Sequence, residues 1–151
     1  MKENKEILSN KINEIGQIAV ECLNGRKFSK VIIGLIIVNT NNNEVKNMEV
    51  FYKNLENKLI YFNELIYRDD FNDSIEEQKY LQLQDLLYDL KNYCVSCGDE
   101  WKYMTLSISN DGNFSIDFKY DPIEVIEWRK INGLLNWKIF WLMIYILRLI
   151  K

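Results

Sequence analysis

Few side chains in this sequence are equipped for chemistry, and their spacing limits them further. Cys94-Val95-Ser96-Cys97 has the Cys-x-x-Cys spacing of thiol–disulfide exchange. Such redox pairs open a helix beside a strand, where the helix N-terminus lowers the thiol pKa; this one closes a helical pattern. A structural zinc site needs four ligands. Cys22 is the remaining cysteine and histidine is absent, so that site cannot assemble by the usual routes. The cysteines read as reduced thiols, with Cys94 on the apolar face of its helix. Without histidine the chain also lacks the commonest general base. Carboxylates remain, and each has a structural explanation. Asp69-Asp70 and Asp73 precede a helix, where acids complement the N-terminal dipole. Asp111 belongs to a turn, and Asp117 alternates away from Ile116 and Phe118. Neither a phosphate loop nor a dinucleotide fingerprint occurs. The expectation is a protein that is not an enzyme and takes no cofactor or metal.

Whatever the chain does must then be done by its surface, held by elements that apolar spacing specifies. Residues 3–24 place Leu8, Ile12, Ile15, Ala19 and Cys22 at helical three-and-four spacing, and Asn24-Gly25 offers a left-handed stop. VIIGLIIV, Val31 to Val38, is a β-branched run too short to cross a bilayer and reads as a strand covered on at least one face. TNNNE turns the chain into a second strand, NMEVFYKN, and NLEN turns it into a third, KLIYF. In DSIEE, Ser74 and Glu77 form a reciprocal capping box. The helix that follows carries Leu83, Leu86, Leu87, Leu90 and Cys94 on one stripe. Gln78, Gln82, Asp85, Asp89 and Asn92 lie on the opposite face, and the helix ends near Gly98.

The next segment is the most explicit. Met104, Leu106 and Ile108 alternate on one strand; Phe114, Ile116, Phe118 and Tyr120 alternate on the next. A two-residue turn at Asp111-Gly112 would set Leu106 against Asp117. A three-residue loop, Asn110-Asp111-Gly112, sets Ile108 against Phe114, Leu106 against Ile116 and Met104 against Phe118, with glycine in the left-handed position. Asp121-Pro122-Ile123-Glu124 then starts a further helix, with an acid at the N-cap and proline at the first helical position. Asn132-Gly133 breaks it. The expected fold is α+β: an antiparallel sheet of about five strands packed against N-terminal, central and C-terminal helices. Residues 1–133 form that single domain. Residues 134–151 form an atypical hydrophobic helix.

Charge and hydropathy narrow the function classes. A net charge of −3 gives no basic footprint for direct nucleic-acid binding. From Asp69 to Glu100, nine acids face two lysines, a local balance of −7. That run is either a solvated face or a docking face for a basic partner. The candidate partner-binding residues are Asp69, Asp70, Asp73, Glu76, Gln78, Gln82, Asp85 and Asp89. The run LLNWKIFWLMIYILRLI, Leu134 to Ile150, is shorter than the roughly 20 apolar residues that a bilayer core requires. It reads as a core or dimer-interface helix, with a membrane-associated tail or an altered chain end as alternatives. The polar start MKENKEILSN shows no signal peptide, and the odd cysteine count points to a reducing cytoplasm.

Residues 101–120, WKYMTLSISNDGNFSIDFKY, carry a resemblance. Trp101 opens the penultimate strand, and Asp111, Gly112, Phe114, Ile116, Asp117, Phe118 and Tyr120 follow as an Asp-Gly-x-Phe-x-Ile-Asp-Phe-x-Tyr hairpin. With the preceding helix, meander and capped leucine-rich helix, and the later EWRK, the chain resembles the YezG-like immunity proteins over about residues 3–132. The resemblance implies a small cytosolic antitoxin of a bacterial polymorphic toxin system. Such a protein binds a cognate secreted toxin, often a nuclease, and blocks it without catalysis; it implies no catalytic residue. Two alternatives stand beside it: a secretion chaperone or adaptor for a toxin, and a small membrane-associated protein anchored by residues 134–150.

Overall fold

Every residue from Val31 to Ile37 is buried, yet successive strand residues point to opposite faces. The strand that holds them must therefore be covered on both sides. The computed structural model, which describes residues 4–62, 75–135 and 148, supplies that cover. Its elements are α1 (Lys5–Cys22), β1 (Lys30–Thr40), β2 (Asn43–Lys53), β3 (Leu59–Tyr61), α2 (Ile75–Ser96), β4 (Tyr103–Ser109), β5 (Phe114–Lys119) and α3 (Val125–Ile131). The strands form one antiparallel sheet in the order β3-β2-β1-β4-β5, so β1 is central. The α+β architecture is the one the sequence predicts.

On one face α1 and α2 bury Ile15, Ala19, Cys22, Leu83, Leu87, Leu90 and Cys94 against Val31, Ile33, Leu35, Val50, Met104 and Leu106. On the other face a smaller cluster joins Ile32, Ile36, Phe51, Trp128 and Leu134. That second layer is α3. Its Trp128 is fully buried and lies over Gly34, where an added Cβ would meet the indole ring within 2.7 Å. The glycine inside this largely β-branched strand is thus the floor of a close packing contact. Trp128 Nε1 donates to Thr105 Oγ1 at 2.9 Å, which satisfies the one polar atom of the ring.

The turns follow their residue chemistry. Asn41 (φ 48°) and Asn42 (φ 68°) make a two-residue left-handed turn, so β2 begins at Asn43, four residues before the expected strand. In the β4–β5 hairpin, Ile108 pairs with Phe114, Leu106 with Ile116 and Met104 with Phe118. Gly112 has φ 88° and its N–H bonds Ser109 O. The three-residue loop and its register are as expected. Asp111 accepts from Asn113 N at 3.1 Å and from the Ser109 hydroxyl, and these bonds hold its carboxyl below the usual carboxylate range, the Ser109 bond most of all. β5 is an edge strand, so Phe114 and Tyr120 stay 48% and 57% exposed although they belong to the apolar face of the alternation.

One expectation is corrected. The helix does not start at Asp121-Pro122; it starts at Val125, and Glu124 takes the N-cap position with extended backbone and no side-chain cap bond. The chain must first cross from the sheet edge to the second face, and Ile123 and Val125 pack against the cluster there. Pro122 suits that extended crossing as well as it suits a first helical turn. The helix ends as expected. Leu134 N bonds Arg129 O at 2.8 Å and Gly133 N bonds Lys130 O at 3.2 Å, a Schellman closure with Gly133 at φ 68°. Ser74 of the expected capping box, Asp69, Asp70 and Asp73, and nearly all of the hydrophobic run after Leu134 lie outside the described residues. Among the described residues, no helix is long and apolar enough to cross a membrane.

Candidate functional site

α2 presents its polar stripe to solvent because its other side is the core. Gln78, Gln82, Asp85, Asp89 and Asn92 recur at spacings of three and four residues, and all are exposed. α1 lies alongside, and a seam of ion pairs joins it and the turn that follows it to α2. Lys11 meets Asp89 at 2.6 Å, Lys79 meets Glu21 at 2.8 Å, and Arg26 binds Glu76. The Lys79 and Gln17 hydrogen bonds lower the pKa of the partly exposed Glu21. Lys11 also stands 5.4 Å from the ring centre of Tyr93, whose hydroxyl caps α1 by accepting from Asn4 N at 2.9 Å.

The seam sorts the candidate residues. Glu76 turns inward, its side chain only 12% exposed against Arg26. Asp89 keeps a side chain 59% exposed while its carboxylate meets Lys11. Gln78, Gln82 and Asp85 lie between these ends on the outer surface. The helix positions them on one line, where two neutral amides, Gln78 and Gln82, are followed by two carboxylates, Asp85 and Asp89. Such a face can accept and donate hydrogen bonds to a partner and attract cationic groups. Among the described residues, no group of three histidine, cysteine or carboxylate side chains converges to hold a metal ion.

The structural hairpin braces this layer. Trp101 is fully buried with its ring 5.3 Å from Phe118, and Tyr120 donates to Asp99 Oδ1 at 2.6 Å. Sequence reasoning missed two buried charges. Lys91 is 4% exposed, donates to Trp101 O and lies 4.4 Å from the Trp101 ring centre; burial lowers its pKa. It sits four residues after Leu87 and three before Cys94, so the apolar stripe already contained it. Glu49, 3% exposed, is held from the second face by Arg129 at 2.5 Å and by the Tyr61 hydroxyl at 2.6 Å. Burial, then the hydrogen bond to Glu49, pushes the Tyr61 phenol well above its ordinary pKa.

The thiols are all free. Cys22 is fully buried, and burial pushes its pKa up to about 12, so it stays an unreactive thiol at neutral pH. Cys94 is equally enclosed, whereas Cys97 reaches the surface in part. Alkylation of the folded protein with iodoacetamide is therefore expected to label Cys97 alone, with Cys22 and Cys94 reacting only in denaturant. Mass spectrometry of the labelled peptides checks this; fast native labelling of Cys22 contradicts the packing described.

Against known proteins, a family model described as "Immunity protein YezG-like" matches residues 10–143. No curated protein matches the chain.

Proposed function

Because this chain belongs to the YezG-like immunity protein family, we propose that it neutralises a basic nuclease toxin in the cytoplasm by docking the outer face of α2. The immunity role itself follows from the family and implies a cognate toxin as partner. The observation that carries the finer reading is the stripe of Gln78, Gln82, Asp85 and Asp89, which is exposed, rigidly backed by the core and anchored to α1 by ion pairs. A nuclease must present cationic groups to its phosphate substrate, and carboxylates spaced along a helix imitate that substrate without offering a bond to cleave. Inhibition then requires surface complementarity and no reacting group. Buried free thiols accord with a reducing compartment.

Asp85→Lys/Asp89→Lys tests the reading. The expected outcome is capture of the toxin slowed by at least about tenfold, with weaker salt dependence, because electrostatic steering acts mainly on association. Stopped-flow binding against ionic strength measures it, and co-expression with the toxin reports protection. Lys11→Ala serves as the control for loss of the Asp89 pair, which as an exposed pair is worth about 0–1 kcal/mol. Protection by the double lysine variant equal to that of the parent moves the docking face elsewhere.

A further inference from the structure

β5 closes one end of the sheet, and among the described residues nothing pairs with its outer edge. Ser109 N bonds Asn113 O at 2.8 Å, which marks that pair as a hydrogen-bonded one. By alternation, Ser115, Asp117 and Lys119 direct their backbone groups to β4, while Ile116 and Phe118 direct theirs outward. The edge holds neither proline nor glycine from Phe114 to Lys119. Such an edge is a template for another strand. Asp117 and Lys119 lie on one face of it, 3.5 Å apart, with side chains 65% and 54% exposed.

We propose that two copies of this chain join β5 to β5 in antiparallel fashion, Phe118 opposite Phe118, to make one continuous sheet. Charge selects this register. A two-fold axis at Asp117 sets like charges directly opposite each other. An axis at Ile116 sets Asp117 opposite Ser115 and Lys119 opposite Asn113, with no charge match. The axis at Phe118 sets Asp117 of each copy opposite Lys119 of the other. Because each acid also keeps its own Lys119 beside it, the four side chains form a square of alternating sign. The cross-strand pairs are of the non-hydrogen-bonded kind, where side chains approach most closely. On the other face the half-buried Phe118 rings meet, each already held by Trp101 at 5.3 Å. The outward backbone groups of Ile116 and Phe118 gain partners in the same step.

Sedimentation equilibrium of the full chain tests the proposal. The parent is expected at twice 18.1 kDa, with association weakening as salt is added. Asp117→Lys and Lys119→Asp each place like charges opposite one another and are expected to weaken association by at least about tenfold. The exchange Asp117→Lys/Lys119→Asp is expected to restore it. Both positions are exposed, so circular dichroism should report an unchanged fold in every variant. A monomeric parent overturns the proposal, even where an added toxin shields β5. A dimer indifferent to both single reversals, or one not recovered by the exchange, overturns it equally.

Discussion

Gly34→Ala is expected to lower folding stability by about 3–5 kcal/mol, a very large effect for one methyl group. The new Cβ would lie within 2.7 Å of three Trp128 ring atoms, closer than nonbonded carbons can approach. The ring has little room to retreat. It is fully buried, its Nε1 is held by Thr105 at 2.9 Å, and the adjacent Arg129 is tied to Glu49. Either the indole leaves the sheet, exposing the second cluster, or β1 is pushed away from its neighbours. Urea denaturation measures the loss. A double-mutant cycle identifies its cause. Trp128→Ala alone is expected to cost about 3–5 kcal/mol, and Gly34→Ala added to it should cost little more. Additive losses would show that the methyl group does its damage somewhere other than the ring.

The second large effect concerns the charges beneath α3. Arg129→Ala leaves Glu49 buried without its cation, and Glu49→Ala leaves Arg129 without its anion. Each is expected to destabilise by about 3–5 kcal/mol, since an uncompensated buried charge is the costly state. The guanidinium also lies 4.9 Å from the Tyr61 ring centre and 5.7 Å from that of Phe51, so its removal loses aromatic contact as well. By contrast, Glu49→Leu/Arg129→Met/Tyr61→Phe removes every polar member together. It is expected to recover most of the stability, because it leaves no orphaned charge or hydroxyl. Denaturation midpoints of the three variants check this. A triple variant as unstable as the single ones would mean that the network's value lies in attraction and not in mutual compensation.

The parts of this fold that were legible in the sequence are those set by local pattern. Periodicity placed α1 and α2 on their apolar stripes, and the hairpin register followed from keeping Leu106 opposite Ile116. Family resemblance was legible in the same hairpin and agrees with the match over residues 10–143. The parts that were not legible depend on partners distant in sequence. Nothing near Gly34 signals that an indole 94 positions later will rest on it. Glu49 reads as the polar side of an alternating strand until Arg129 arrives from α3. A clue was present: VIIGLIIV does not alternate, which implies two covered faces and therefore a second layer. The start of α3 was misplaced because Asp121-Pro122 satisfies local helix-start chemistry, whereas the crossing to the second face is a tertiary requirement. The polar stripe of α2 was readable as a stripe. The separation of the inward Glu76 from the outward Asp85 among the acids of that helix was not, since it depends on where Arg26 lies.

The closeness of Gly34 to Trp128 carries an implication for descent. A side chain cannot appear at the first position while the indole remains at the second, so the two sites are not free to drift separately. A lineage that trades the glycine for a bulkier residue must shrink the tryptophan in the same evolutionary interval, or pass through an ancestor that hardly folds. Paired replacement at these two positions, and scarcity of either change alone, is the historical trace this contact should leave among related chains.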